Sequence, residues 1–202
     1  MFKNSKKFMP TYMLIAANII IYAYTSILSG NVFKTNDNVI PAYGQDNRAV
    51  LNGEVWRLFT AMFIHANIAH IFGNMFFLLI FGLRAEDMFD VKEYLLIYFL
   101  SGLAGGFLTL LFLPNSLSVG ASGAIFGVLG ATVIYIRRAI GQSIISALMY
   151  AFFLLAINTG PEVNVAAHLG GLIVGLLIGY LLAATRKTRT TYNYRYNYSY
   201  ST

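Results

Sequence analysis

Gly120-Ala121-Ser122-Gly123-Ala124-Ile125-Phe126-Gly127 is the stretch on which the reading of this chain turns. One serine stands among three glycines at the head of an apolar run, residues 121–136. A hydroxyl is costly in lipid unless it is paired or caps a helix. A helix start offers free N–H groups and partial positive charge, both suited to a developing oxyanion. The glycines let another backbone, or a peptide, come close. A serine that only caps a buried helix is the competing reading, so the choice rests on what stands opposite Ser122.

The surroundings are apolar throughout. Of 202 residues, 57% are hydrophobic and 11% charged, and mean hydropathy is +0.63. Soluble domains carry about 25% charged residues, so this is read as a one-domain integral membrane protein. There is no cysteine, which removes disulfides, a thiolate nucleophile and cysteine metal sites. A net charge of +6 would suggest nucleic acid only if the basic residues formed one patch. They sit instead in short clusters between apolar runs, so no nucleic-acid partner is expected.

Apolar runs at about 12–28, 68–83, 94–113, 122–136, 143–157 and 163–184 predict an all-α protein with six transmembrane helices. Several runs fall short of the roughly 20 residues a bilayer needs, so their ends must extend into the flanks. Lys3, Lys6 and Lys7 precede the first run. That run is long for a signal peptide and no small-x-small site follows, so it reads as a span. A polar loop at 30–57 ends in Glu54-Val55-Trp56-Arg57, an amphipathic stretch suited to the membrane interface. Pro114 stops the third run, Arg137-Arg138 the fourth, and Arg186-Lys187-Thr188-Arg189 the sixth, while Asn158-Thr159-Gly160-Pro161 is a turn signal. If the N-terminus is cytoplasmic, all 14 basic residues except Lys34, Arg48 and Arg57 fall on inner segments. The positive-inside rule then puts both termini in the cytoplasm. The expected layout is a cytoplasmic N-terminus at 1–11, a six-span membrane domain at 12–184 and a low-complexity cytoplasmic tail at 185–202.

This topology starts the second, fourth and sixth spans at the outer face. His65, His70 and Asn74 lie near the start of the second, Ser122 at the start of the fourth, and His168 near the start of the sixth. These are the only histidines in the chain. Intramembrane ionisable groups are rare and face a protein interior or a water-filled cavity. Their shared depth is hard to explain by packing alone. Gly123, Gly127 and Gly130 on the fourth span, and Gly171, Gly175 and Gly179 on the sixth, make small-residue faces that let two helices approach closely. His168 continues the second of these faces, three residues before Gly171.

The chemistry follows from the residue types. A serine needs a base within hydrogen-bond reach, and His168 can serve. Every Asp and Glu lies in a loop or at a span end, so a Ser–His dyad is expected rather than a triad, with Glu162 above the site. Phe126 is four residues after Ser122, where its ring could hold the imidazole. His70 and Asn74 share a helix face at i and i+4. With the Ser122 backbone N–H they could donate to a tetrahedral oxyanion. His65 lies outside that turn and reads as structural.

With these motifs in place the chain resembles the rhomboid family of intramembrane serine proteases. Trp56-Arg57 is similar to the family's first-loop signature, and His65-x4-His70-x3-Asn74 to its second-span motif. Gly120-Ala121-Ser122-Gly123 is similar to its nucleophile motif, and Ala167-His168-Leu169-Gly170-Gly171 to its base motif. The resemblance implies a rhomboid-like bundle in the cell membrane, with Ser122 as nucleophile and His168 as base. It implies an oxyanion hole from His70, Asn74 and the Ser122 amide, with Gly120, Gly123 and Phe126 supporting, and no cofactor or metal. It implies single-pass membrane proteins as substrates, cut near small residues, among membrane lipids. The fifth span and the cap at 158–164 would be the gate. Some family members carry Tyr where this chain has Phe126. Inactive relatives lose the Ser or the His, and this chain has both.

Two other readings compete. A hydrolase could hold zinc with His65, His70 and His168, although histidines five apart share a helix face poorly. A transporter, channel or membrane chaperone needs no chemistry, but the internal repeats common in transporters are not visible.

Overall fold

The computed structural model describes residues 10–36, 38–139, 143, 145–146, 148–149 and 163–186. Helices dominate these residues. Helix α1 spans Pro10–Ser29. It begins on a proline, whose missing N–H costs nothing at a first helical position. It ends at Gly30, where φ is +61° and the amides of Gly30 and Asn31 return to Ile27 and Ser26.

The segment from 30 to 67 is far more structured than a polar loop. It holds α2 (Val39–Tyr43), β1 (Gln45–Asp46), α3 (Asn47–Leu51), α4 (Arg57–Thr60) and a 3₁₀ turn at Ala61–Phe63. Arg57 is the staple of this segment and is buried. Its Nη1 donates to the carbonyls of Pro41 and Gly44, and its Nε to Glu54 Oε2 at 2.7 Å. Its guanidinium lies over the Trp56 ring, 4.8 Å from the centroid. Within residues 54–57 Val55 and Trp56 are the exposed ones, so the interfacial role expected of that stretch falls to those two.

Helix α5 runs over Ile68–Glu86, capped by Asn67 Oδ1 on the His70 amide. Helix α6 runs over Val91–Phe112 from a capping box in which Asp90 and Glu93 bond each other's backbone amides. A short strand β2 (Leu117–Ser118) pairs antiparallel with β1, Gln45 opposite Ser118. Helix α7 spans Ser122–Ala139 and α8 spans Val165–Thr185, the latter capped by Asn164 on the Ala167 amide. Helices α1, α5, α6 and α7 run one to three residues past an expected end, as membrane thickness requires. Helix α8 runs one past its end, while α6 stops one residue short of 113 and α8 starts two residues after 163. The fifth span expected at 143–157 falls largely outside the described residues. So do Lys3, Lys6, Lys7, Glu162, the cap at 158–162 and the tail from 187.

Among the described residues four helices, α1, α5, α6 and α8, are long and apolar enough to cross a membrane. Helix α7 falls short of them because its 18 residues include Arg137 and Arg138 in the last turn. It packs against α5, α6 and α8, and Ala121, Ala124, Val128 and Ala131 are all buried. A helix surrounded by protein needs small residues more than greasy ones. Leu78, Tyr94, Ile97 and Tyr98 complete the core beside it.

Candidate active site

Backbone meets backbone where α7 crosses α8. A Cβ added at Gly171 would lie 1.9 Å from Gly123 O, one at Gly175 2.0 Å from Gly127 O, and one at Gly179 2.5 Å from Ala131 O. The two glycine faces expected from the sequence therefore interlock. The sequence reading missed the third partner. Gly105 of α6 packs on Ala167 O, and Gly170 on Ala104 O, so α8 is wedged against two helices at the level of His168.

Ser122, His168, His70, Asn74, Phe126 and Gly120 all line one cavity of about 960 Å³ at the starts of α5, α7 and α8. Gly123 faces a separate small hollow behind it, lined also by Gly120 and Ala167. The Phe126 and His168 rings stack, with centroids 4.4 Å apart and planes 23° apart. Phe126 thus fixes the imidazole plane without needing a hydroxyl. His168 is buried, and its Nδ1 has no hydrogen-bond partner. No Asp or Glu lines the cavity among the described residues. Among the described residues no hydrogen bond joins Ser122 to His168. A catalytic hydrogen bond often tightens only when substrate is bound.

His70 and Asn74 sit on the opposite wall. Asn74 Nδ2 donates to His70 O at 2.9 Å, which uses one of its two amide hydrogens, while its Oδ1 is buried without a partner. The His70 ring lies against Gly120: a Cβ there would be 2.8 Å from His70 Nε2 and 3.9 Å from Ser122 Oγ. With φ at +119°, Gly120 is required twice, by conformation and by space. Its amide donates to Ala61 O at 2.9 Å, which ties the loop before Ser122 to the 3₁₀ turn.

His65 is fully buried outside the cavity. Its ring stands edge-on to His70 at 5.1 Å, and its Nδ1 is 3.3 Å from Phe63 O. Burial first, then the neighbouring His70, pushes its imidazole down to about 3. Among the described residues no three histidines, aspartates or glutamates are grouped so as to hold a metal ion. His65 and His168 do not converge on a common point with His70, so this geometry does not favour the zinc reading.

The sequence reading also missed Asn164. It lines the cavity one turn before His168, and its Nδ2 donates to Thr109 Oγ1 at 2.9 Å and Ser118 Oγ at 2.8 Å. Its partners on α6 and β2 come from remote sequence.

A bundle of apolar helices with polar side chains gathered in one cavity at three helix starts defines a polytopic membrane protein with a built site. The chain belongs to the rhomboid family: the model of the rhomboid domain matches residues 52–185. It is an integral membrane protein. It is similar to RHOMBOID-like protein 6, mitochondrial, of Arabidopsis thaliana, 43% identical over 67% of this chain and 46% of that protein. It is similar to Rhomboid-like protease 3 of Toxoplasma gondii, 32% identical over 80% of this chain and 65% of that protein. Rhomboid protease GluP of Bacillus subtilis is 35% identical over 86% of this chain and 34% of its own length. The chain thus spans between about a third and two thirds of the length of these curated relatives.

Proposed function

We propose that the chain is an intramembrane serine endopeptidase cutting the transmembrane segments of single-pass membrane proteins. The observation that carries this reading is the cavity. Its walls bring Ser122, His168, His70 and Asn74 together from three helices, with Phe126 stacked on His168. Two relatives bearing the name protease support it.

In this reading Ser122 Oγ attacks the scissile carbonyl carbon while His168 takes the hydroxyl proton. The tetrahedral oxyanion receives hydrogen bonds from His70, from the second Asn74 amide hydrogen and from the Ser122 N–H at the head of α7. His168 returns the proton to the leaving amine, and the C–N bond breaks. A water molecule then gives its proton to His168 and attacks the acyl-enzyme ester, and His168 passes that proton to Ser122 Oγ as the ester C–O bond breaks, which frees the second product. The apolar wall of Phe77, Phe81, Ile125 and Leu129 suits an unwound membrane segment. Six spans with both termini cytoplasmic, over 12–184, remain the topology that the charge distribution favours.

The test is covalent labelling of detergent-purified protein by a fluorophosphonate probe. Wild type should label, and Ser122→Ala and His168→Ala should not. His70→Ala and Asn74→Ala should each lower turnover about 100-fold or more, the size of a lost oxyanion donor, with thermal stability little changed. Proteolysis surviving in Ser122→Ala, or abolished by a chelator, would overturn the serine reading.

A further inference from the structure

Among the described residues lining the cavity, Lys34 is the one Lys, Arg, Asp or Glu. By charge pattern alone it is one of three basic residues on the expected outer segments. Its placement is more specific. Phe33, Lys34 and Thr35 run beside residues 65–68, the strand-like lead into α5. Lys34 and Asn67 form an antiparallel bridge. The Ile68 amide donates to Phe33 O at 3.1 Å, the Thr35 amide to Ala66 O at 2.9 Å, and Thr35 Oγ1 to His65 O at 2.7 Å. From the other side the Lys34 amide donates to Asn31 Oδ1 at 3.2 Å. Asn67 is itself the cap that holds the His70 amide. The backbone of Lys34 is therefore fixed one hydrogen-bonded step from the residue assigned to the oxyanion.

The side chain, by contrast, is uncommitted. Lys34 is exposed and forms no ion pair with any carboxylate among the described residues. The rest of the wall is neutral, with Asn67, Ser118 and Asn164 near the helix starts and Phe77, Phe81 and Leu129 further along the helices. An ammonium at the polar rim of an otherwise neutral, largely apolar slot selects charge at one place only.

We propose that Lys34 is a specificity-determining residue that pairs with an acidic side chain in the extramembrane flank of the substrate, beside the segment being cut. This rests on the protease reading and names its substrate class: single-span proteins with Asp or Glu at the outer membrane boundary. The pairing also discriminates topology. Correctly inserted substrates keep Lys and Arg on the inner side, whereas a span inserted backwards presents its basic flank to Lys34 and is repelled.

The experiment is a competition in proteoliposomes of phosphatidylcholine, with full-length enzyme and pairs of single-span substrates. The substrates differ only in Asp, Asn or Lys within the flank just outside the span. Ratios of kcat/KM from one tube are independent of how much enzyme is folded. Wild type should favour Asp over Asn about threefold, the size of a solvent-exposed pair, and Lys should be poorest. Lys34→Gln should flatten the order and Lys34→Glu should invert it. The preference should fade in about 1 M salt, where the screening length is roughly 3 Å. The same order in all three enzymes overturns the assignment, as does a preference that depends on anionic lipid rather than on the flank. Fluorophosphonate labelling of the wild type separates the two levels. A labelled enzyme with flat preference loses only the Lys34 assignment, whereas an unlabelled chain loses the protease reading and this inference with it.

Discussion

At Gly120 the backbone φ is +119°, and a Cβ would stand 2.8 Å from His70 Nε2. Gly120→Ala therefore costs about 1–3 kcal/mol of backbone strain, and the His70 ring must also move. A displacement of about 1 Å in a catalytic constellation can cost roughly 100-fold in rate. Turnover of the folded variant should drop by about that factor; undiminished turnover would remove His70 from the oxyanion assignment. His65 makes a different prediction. Its folded value near 3 lies below the ordinary 6.5, so the unfolded chain binds a proton between those values and the folded chain does not. Its contribution to stability is present above about 6.5 and is lost as pH falls toward 3. Melting temperatures measured from pH 7 to 4 should decline, and His65→Asn should decline less steeply. At this scale the sequence was most readable. Ser122, His168, His70, Asn74 and Phe126 were named from residue type and spacing, and all line one cavity. The stacking of Phe126 on His168 was legible because i and i+4 share a helix face. Asn164 escaped because an N-cap says nothing about what its side chain's other end will meet.

Helices α7 and α8 work as a pair because neither has side chains at their crossing. Gly175→Ala would place a Cβ 2.0 Å from Gly127 O, a backbone atom that cannot step aside. The helices must separate, at about 3 kcal/mol by analogy with overpacked cores. Since Ser122 rides on one helix and His168 on the other, fluorophosphonate labelling should fall with the melting temperature. Gly73→Ala is the contrast, because nothing lies within 4 Å of a Cβ there. Its gain should approach the helix propensity difference of about 1 kcal/mol. Equal melting temperatures for the two variants would deny the interlock. The Gly-x-x-x-Gly pattern made this crossing readable, since its period matches a helix face. The α6 contribution went unread although Gly102 and Gly106 are four apart, because that pair faces Met62 and Gln45 of the 30–67 segment and only Gly105 of the three meets α8, at Ala167. The order within 30–67 was hidden for a similar reason. Short helices held by Arg57, Gln45 and Asn47 leave no hydrophobic periodicity, and their partners are the carbonyls of distant residues.

Across the whole molecule, the cavity lies at the starts of α5, α7 and α8, and a second polar cluster lies at the opposite end of α8. There Arg186 Nη1 donates to Met88 O and to Tyr135 Oη at 3.2 Å, and its Nη2 pairs with Glu93. One guanidinium thus joins the end of α8 to the turn before α6, to the α6 capping box and to α7. The sequence showed Arg186 only as a stop signal in a basic run, since a cation after an apolar helix is what the positive-inside rule predicts anywhere. Its partners are about half-exposed or less, so the ion pair itself contributes little, about 0–1 kcal/mol. The Met88 carbonyl is the stronger link, because a charged donor to a carbonyl is worth about 1.5–3 kcal/mol when shielded. Arg186→Gln should therefore lower stability by about 1–2 kcal/mol, with Arg186→Lys intermediate because an ammonium lacks the planar fork. Helix α8 is about 31 Å long by its rise per residue, and the Gly171, Gly175 and Gly179 contacts lie between the clasp and His168. Those contacts hold the register of His168 without Arg186. The variant should melt earlier in a thermal scan, yet label with a fluorophosphonate at the wild-type rate well below its melting temperature. A slowed labelling rate in fully folded protein would mean that register at the site is set from the far end of α8 rather than by the glycine interlock.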